Sequence, residues 1–157
     1  MTSKLVIEDF EIAFDHTLTF DQMVKAGNYK YKDPEIREDR FPVPSSKTGR
    51  IPAKIVSFGR PMGDEEGNNE VNFALGGMGL RRADTLETLT FGLQHLSLPQ
   101  GYWVISGAFL ERPGTHGRGF LGIYHGRRAV RKLGTCWVGS PLLRQWPPET
   151  YFLAVPK

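Results

Sequence analysis

Hydrophobic and polar positions alternate near the start of the chain, with Phe10, Ile12 and Phe14 on one side and Glu11 and Ala13 on the other. That two-residue period over residues 5–14 predicts a half-buried strand. At Leu18 the pattern changes. Thr19 and Gln22 stand three apart as a capping box, Leu18 and Met23 can close over it as a hydrophobic staple, and Gly27 is placed to end the helical stretch. A short helix offering Phe20, Met23 and Val24 to a core is expected. Residues 28–49 are polar, and Pro34, Pro42 and Pro44 each discourage helix at the preceding residue. An ordered loop anchored by Tyr29, Tyr31 and Phe41 is expected there, because so long a structureless excursion is otherwise rare in a compact domain. Residues 51–58 read as the next strand and 59–67 as turns.

Two helical patterns then flank the segment GMGLRRAD, which reads as a tight connection. In the first, Val71, Ala74, Leu75 and Met78 fall at helical spacing; Gly76 and Gly77 weaken it, and Gly79 is placed to end it in a left-handed conformation. The second opens at Asp84, takes Glu87 as capping-box partner, and carries Leu86, Leu89, Leu93 and Leu96 on one stripe. After Pro99, residues 102–110, 120–124, 129–138 and 151–155 are aromatic or β-branched runs between Gly and Pro turns, as strands are. The expected fold is α+β: one domain over residues 1–157, short helices packed on antiparallel strands.

Composition sharpens this only in places. The 157 residues suffice for one core, and 18 glycines with 11 prolines favour many short elements. Cys136 is the only cysteine, which excludes an internal disulfide; between apolar neighbours it reads as a small packed hydrophobe. No apolar run approaches the roughly 18 residues of a membrane span, and Glu8, Asp9 and Glu11 interrupt the one near the start. A cytoplasmic protein without membrane contact is the expectation.

The net charge of +3 hides an asymmetry. Residues 1–70 carry 10 Lys/Arg against 13 Asp/Glu, whereas residues 101–157 carry 8 against 2. The basic third nominates a contact surface of Arg112, Arg118, Tyr124, Arg127, Arg128, Arg131, Lys132 and Arg144, with Phe120 and Trp137 interleaved. The alternative is a basic surface that faces the acidic N-terminal third or only keeps the protein dissolved.

Catalytic chemistry finds little support. Residues 117–122 match G-x-G-x-x-G, but β-rich sequence comes next and no acid occurs between Arg112 and Glu149, so a glycine-rich hairpin is expected instead of a dinucleotide site. His16, His95, His116 and His125 show no metal-ligand spacing; His116 and His125 are expected in solvated turns. There is no Gly-x-Ser-x-Gly elbow, and no carboxylate pair stands out. No cofactor or metal is expected, and enzymatic activity is not the leading reading.

The segments KIVSFGRPMG, EVNFALGGMGLRRADTLETLTF and YFLAV resemble a strand, the two helices and the terminal strand of the C-type-lectin-like fold. The chain also resembles a family of small uncharacterised bacterial and phage proteins with a TFDQMVKAGNY-like start, a GLR-A-TLE-L-FG middle and an FLAV-K end. The first resemblance implies a scaffold that displays loops. It does not imply calcium-dependent sugar binding, because the Glu-Pro-Asn, Gln-Pro-Asp and Trp-Asn-Asp triplets of such lectins are missing. The leading expectation is therefore a non-enzymatic binding module whose basic, aromatic surface meets a protein partner; the alternative is single-stranded nucleic acid on the same surface.

Overall fold

The computed structural model describes residues 5–15, 17–43, 47–65, 67–95, 101–111, 117–126, 130–138 and 145–157. In chain order they form β1 (Val6–Ala13), α1 (Phe20–Ala26), β2 (Tyr31–Lys32), β3 (Arg50–Ser57), β4 (Met62–Glu65) and β5 (Asn68–Asn69). Next come α2 (Glu70–Gly76), β6 (Leu80–Arg82), α3 (Thr85–Gln94), β7 (Trp103–Glu111), β8 (Arg118–His125), β9 (Arg131–Val138), β10 (Gln145–Trp146) and β11 (Tyr151–Pro156). Among the described residues, eight strands make one sheet in the order β1-β3-β11-β7-β8-β9-β2, with β6 also on β11; β10, β4 and β5 make a small second one. The sheet is mixed, contrary to the all-antiparallel expectation, because β11 runs parallel to β7 and β2 parallel to β9.

Strand β11 shows why the sheet has a core on each face. Phe152, Leu153, Ala154 and Val155 are all buried, the continuous apolar run of a strand covered on both sides. Leu153 and Val155 point with Ile55, Leu121, Ile123 and Leu133 toward α1, α3 and the loop carrying Ile36 and Phe41. Phe152 and Ala154 point with Val56, Ile105 and Phe120 toward α2 and the small sheet. The molecule is thus a three-layer α+β fold.

The capping boxes form as the residue spacing predicts. Thr19 accepts from the Gln22 amide at 3.2 Å while the Gln22 side chain accepts from Thr19 at 2.8 Å. Asp84 and Glu87 repeat the exchange at 2.8 and 2.9 Å. Gly79, at φ 73°, takes the left-handed turn after α2. Several expectations change, among them the turns of residues 59–67, which contain β4 with Met62 and Asp64 buried. The connection GMGLRRAD contains strand β6, because Leu80, Arg81 and Arg82 complete the edge that β7 leaves open on β11. Helix α3 is buried all round instead of along one stripe: Glu87 and Thr88 are fully buried beside Leu89 and Phe91, since the helix lies among α1, β1, β7 and β8. Leu96, His16 and His116 lie outside the described residues. His125 lies in β8, buried, and not in a turn.

Candidate functional site

Strand register brings four side chains into one line. Trp103 pairs with Tyr124 across β7 and β8, Tyr124 with Lys132 across β8 and β9, and Lys132 with Tyr31 across β9 and β2. Directly paired residues project from the same face of a sheet. The Trp103 and Tyr124 rings stand 5.2 Å apart. The Lys132 ammonium lies between two phenol rings, 5.8 Å from Tyr124 and 5.5 Å from Tyr31, and Lys30 approaches Tyr31 at 5.8 Å. Tyr31 is 54% exposed, Lys132 is exposed, and Tyr124 and Trp103 are half-buried. Three strand spacings of about 4.8 Å give the row a length of roughly 15 Å.

Glycines seat the first member of the row. A side chain at Gly122 would meet Trp103 at 3.1 Å, and one at its cross-strand partner Gly134 would meet the same indole at 2.9 Å. The glycine-rich stretch 117–122 therefore runs into β8 as a strand and serves as a floor for an aromatic ring. Beyond Trp103 a pocket of about 390 Å³ opens against Trp146, Pro147 and Cys136, with Tyr102, Glu149 and Thr150 also in its lining. Burial pushes the Cys136 thiol up to about 12. Half-buried at the edge of this pocket, Cys136 should react more slowly with a thiol reagent in the folded protein than in denaturant, because its thiolate is disfavoured; equal rates in the two states would exclude that.

The residues nominated from sequence divide into three groups. Tyr124 and Lys132 meet in the row. Arg118 lies on the same face of β8 but at the other end of the strand, its guanidinium 4.7 Å from the Phe109 ring. Arg112, Arg127, Arg128 and Arg144 lie outside the described residues. Arg131 is removed from the contact surface by its burial, with 3% of its surface exposed. Its guanidinium donates to the carbonyls of Gly27 and of Gly92, the latter at 2.7 Å, and lies 4.8 Å from the Tyr29 ring. Gly27 and Gly92 carry no side chain because Tyr29 fills the space where one would stand. Burial raises the Tyr29 hydroxyl to about 12 against the opposing pull of Arg131. Of the interleaved aromatics, Phe120 is core and Trp137 packs toward the helices.

Residue pattern alone does not bring Trp103 and Tyr31 into the site. Tyr124 and Lys132 are visible as an aromatic and a cation on neighbouring strands, but joining them to Trp103 and Tyr31 requires the order β7-β8-β9-β2. No three His, Cys, Asp or Glu side chains converge as metal ligands among the described residues, and no helix there is long and apolar enough to cross a membrane. No family model, curated protein or solved structure matches this chain.

Proposed function

We propose that this chain is a non-enzymatic binding module whose row Trp103–Tyr124–Lys132–Tyr31 takes single-stranded nucleic acid. The observation that carries the reading is the register: aromatic rings and an ammonium recur across four adjacent strands on one face, half-buried at Trp103 and Tyr124 and exposed at Lys132 and Tyr31. Bases stack on such rings whatever their sequence, and a lysine between them neutralises backbone phosphate. The pocket beside Trp103 adds room for the edge of one base. The excess of 8 Lys/Arg over 2 Asp/Glu in residues 101–157 supports the same class of ligand. We keep the C-type-lectin-like likeness as a reading of the scaffold, for which the order β3, α2, β6, α3 and a terminal β11 is the support, and the bacterial or phage family likeness as a reading of the residues alone.

Fluorescence anisotropy with labelled oligothymidine and its RNA counterpart tests the reading. Affinity should fall steeply between about 50 and 200 mM salt, and Lys132→Gln should reduce the log–log salt slope by about 0.7. Tyr124→Ala should weaken binding by about tenfold, the lower range for loss of one stacked base. Absence of binding at the lowest salt, or a Tyr124→Ala variant that binds like wild type, sinks the proposal. Either result returns the face to a protein partner, which its tryptophan and tyrosines also suit.

A further inference from the structure

The Trp103 indole separates two parts of one sheet face. On β8 and β9 the cross-strand pairs Tyr124 with Lys132, Gly122 with Gly134 and Phe120 with Cys136 follow one another on that face, and the indole reaches over the middle, glycine pair. Tyr124 and Lys132 lie to one side of it. On the other side opens the pocket of about 390 Å³, where Cys136, Trp146, Pro147, Glu149 and Thr150 are in the lining with Trp103 itself. One ring therefore ends the aromatic row and begins the pocket.

The wall opposite Trp103 is held in place by bonds of its own. Trp146 is buried, donates its indole N–H to Asp64 at 2.8 Å, and stands 5.9 and 6.2 Å from the Phe120 and Phe152 rings. The turn that follows is tied twice: the Thr150 amide donates to the Pro147 carbonyl at 3.1 Å, and the Ser57 hydroxyl donates to the Pro148 carbonyl at 3.1 Å. Glu149 sits on that turn, exposed, and is the one charged residue in the described lining. It has no hydrogen bond or ion pair with another described residue. An unpaired carboxylate repels a phosphate backbone, so at the end of such a row it suits a ligand edge that donates hydrogen bonds to it.

We propose, resting on the single-strand reading of the row, that this pocket takes a guanine base at the end of the bound strand, its ring against Trp103 and its N1–H and 2-amino group donating to the Glu149 carboxylate. Single-stranded bases are read on this edge while they stack on an aromatic side chain. Guanine alone among the common bases sets two donors side by side there. Adenine and cytosine place a ring acceptor next to their amino group, and thymine and uracil flank one N–H with two carbonyls, so each turns a lone pair toward the second carboxylate oxygen. Two parallel bonds to an ionised acceptor are shorter and stronger than neutral ones. The pocket's volume falls in the usual range for a small planar ligand, roughly 300–1,000 Å³.

Anisotropy titrations with oligothymidine that ends in guanine, hypoxanthine or adenine, at either end of the strand, test the proposal. At one of the two ends guanine should tighten binding about tenfold over adenine, the lower range for a bidentate base contact. Hypoxanthine, which lacks the 2-amino group, should fall between them. Glu149→Ala, with its fold checked by circular dichroism, should bring the three to equal affinity and bind plain oligothymidine no more weakly than wild type does. Lys132→Gln should weaken all three alike and keep the guanine preference, because it acts on the backbone and not on the base. Equal affinity for guanine and adenine at both ends, or a guanine preference that survives Glu149→Ala, overturns the inference and leaves the row standing on its binding of oligothymidine. Absence of oligothymidine binding fails the row, and the inference with it.

Discussion

Replacing Asp64 with alanine should destabilise the protein by about 3–5 kcal/mol, because it strands a buried guanidinium without its counter-ion. Asp64 is fully buried, accepts twice from Arg82 Nη1 at 2.7 Å, and accepts from the Trp146 indole N–H at 2.8 Å. Arg82 in turn donates to the Ser106 carbonyl at 2.7 Å and lies 4.3 Å from the Phe120 ring. One carboxylate therefore ties β4, β6 and β10 together on the α2 face of the sheet. For a chain of this length the loss corresponds to a fall in Tm of roughly 10 °C or more. Urea unfolding followed by tryptophan fluorescence measures it. A double variant, Asp64→Leu with Arg82→Met, separates pairing from packing: removing both charges should recover the part of the loss due to the stranded guanidinium, while the Trp146 indole N–H and the Ser106 carbonyl, left without partners, keep the variant below wild type. An Asp64→Ala loss below about 1 kcal/mol would show that water reaches Arg82 and solvates it.

The parts of the fold that could be read along the chain are those whose cause is local. Thr19 with Gln22 and Asp84 with Glu87 meet three residues apart on the first turn of a helix, so their spacing is the structure. The long strands announce themselves by alternation or by continuous apolar runs. Strands β2, β4, β6 and β10 do not, because two to four residues carry no period and only a distant partner makes them strands. Burial of α3 on its polar side has the same origin in part, as Glu87 is covered by Lys47, 40 residues away, as well as by Arg81 of the adjoining strand β6.

Arg131 is different, because a signal was present. Adjacent residues of a strand face opposite ways, so grouping Arg131 with Lys132 on one surface contradicts the period of β9. Arg131 shares its parity with Leu133, a core residue, and Lys132 shares its parity with Gly134, under the Trp103 ring. The row itself was half legible. Its chemistry shows in the residue types, but its assembly depends on β2 returning, parallel, to the far edge of β9.

Neutralising Glu87 should lower stability by about 3 kcal/mol at pH 7 and leave little difference from wild type near pH 2. Burial alone would raise this carboxyl, but two bonds from Arg81, the Asp84 amide contact and Lys47 overcome it and hold the group at about 2, against an ordinary value of 4.5. A carboxyl whose folded pKa is depressed binds fewer protons in the native state than in the unfolded one. Its stabilisation is therefore complete above about pH 4.5 and is lost as the pH falls toward 2. Glutamine suits the test because its carbonyl oxygen still accepts from Arg81 and the Asp84 amide, while its amide nitrogen, like the hydroxyl of a protonated carboxyl, turns a donor toward Arg81 Nη2 and Lys47. The difference therefore measures the charge together with the two bonds that the second oxygen accepts. Denaturant midpoints of wild type and Glu87→Gln, taken at intervals from pH 7 to pH 2, should converge across that window, with the wild-type curve falling and the variant's flatter. A gap that stays constant over the whole range would mean that the ionised form of Glu87 contributes nothing beyond its shape and hydrogen bonds, and that Arg81 and Lys47 are held in place by something else.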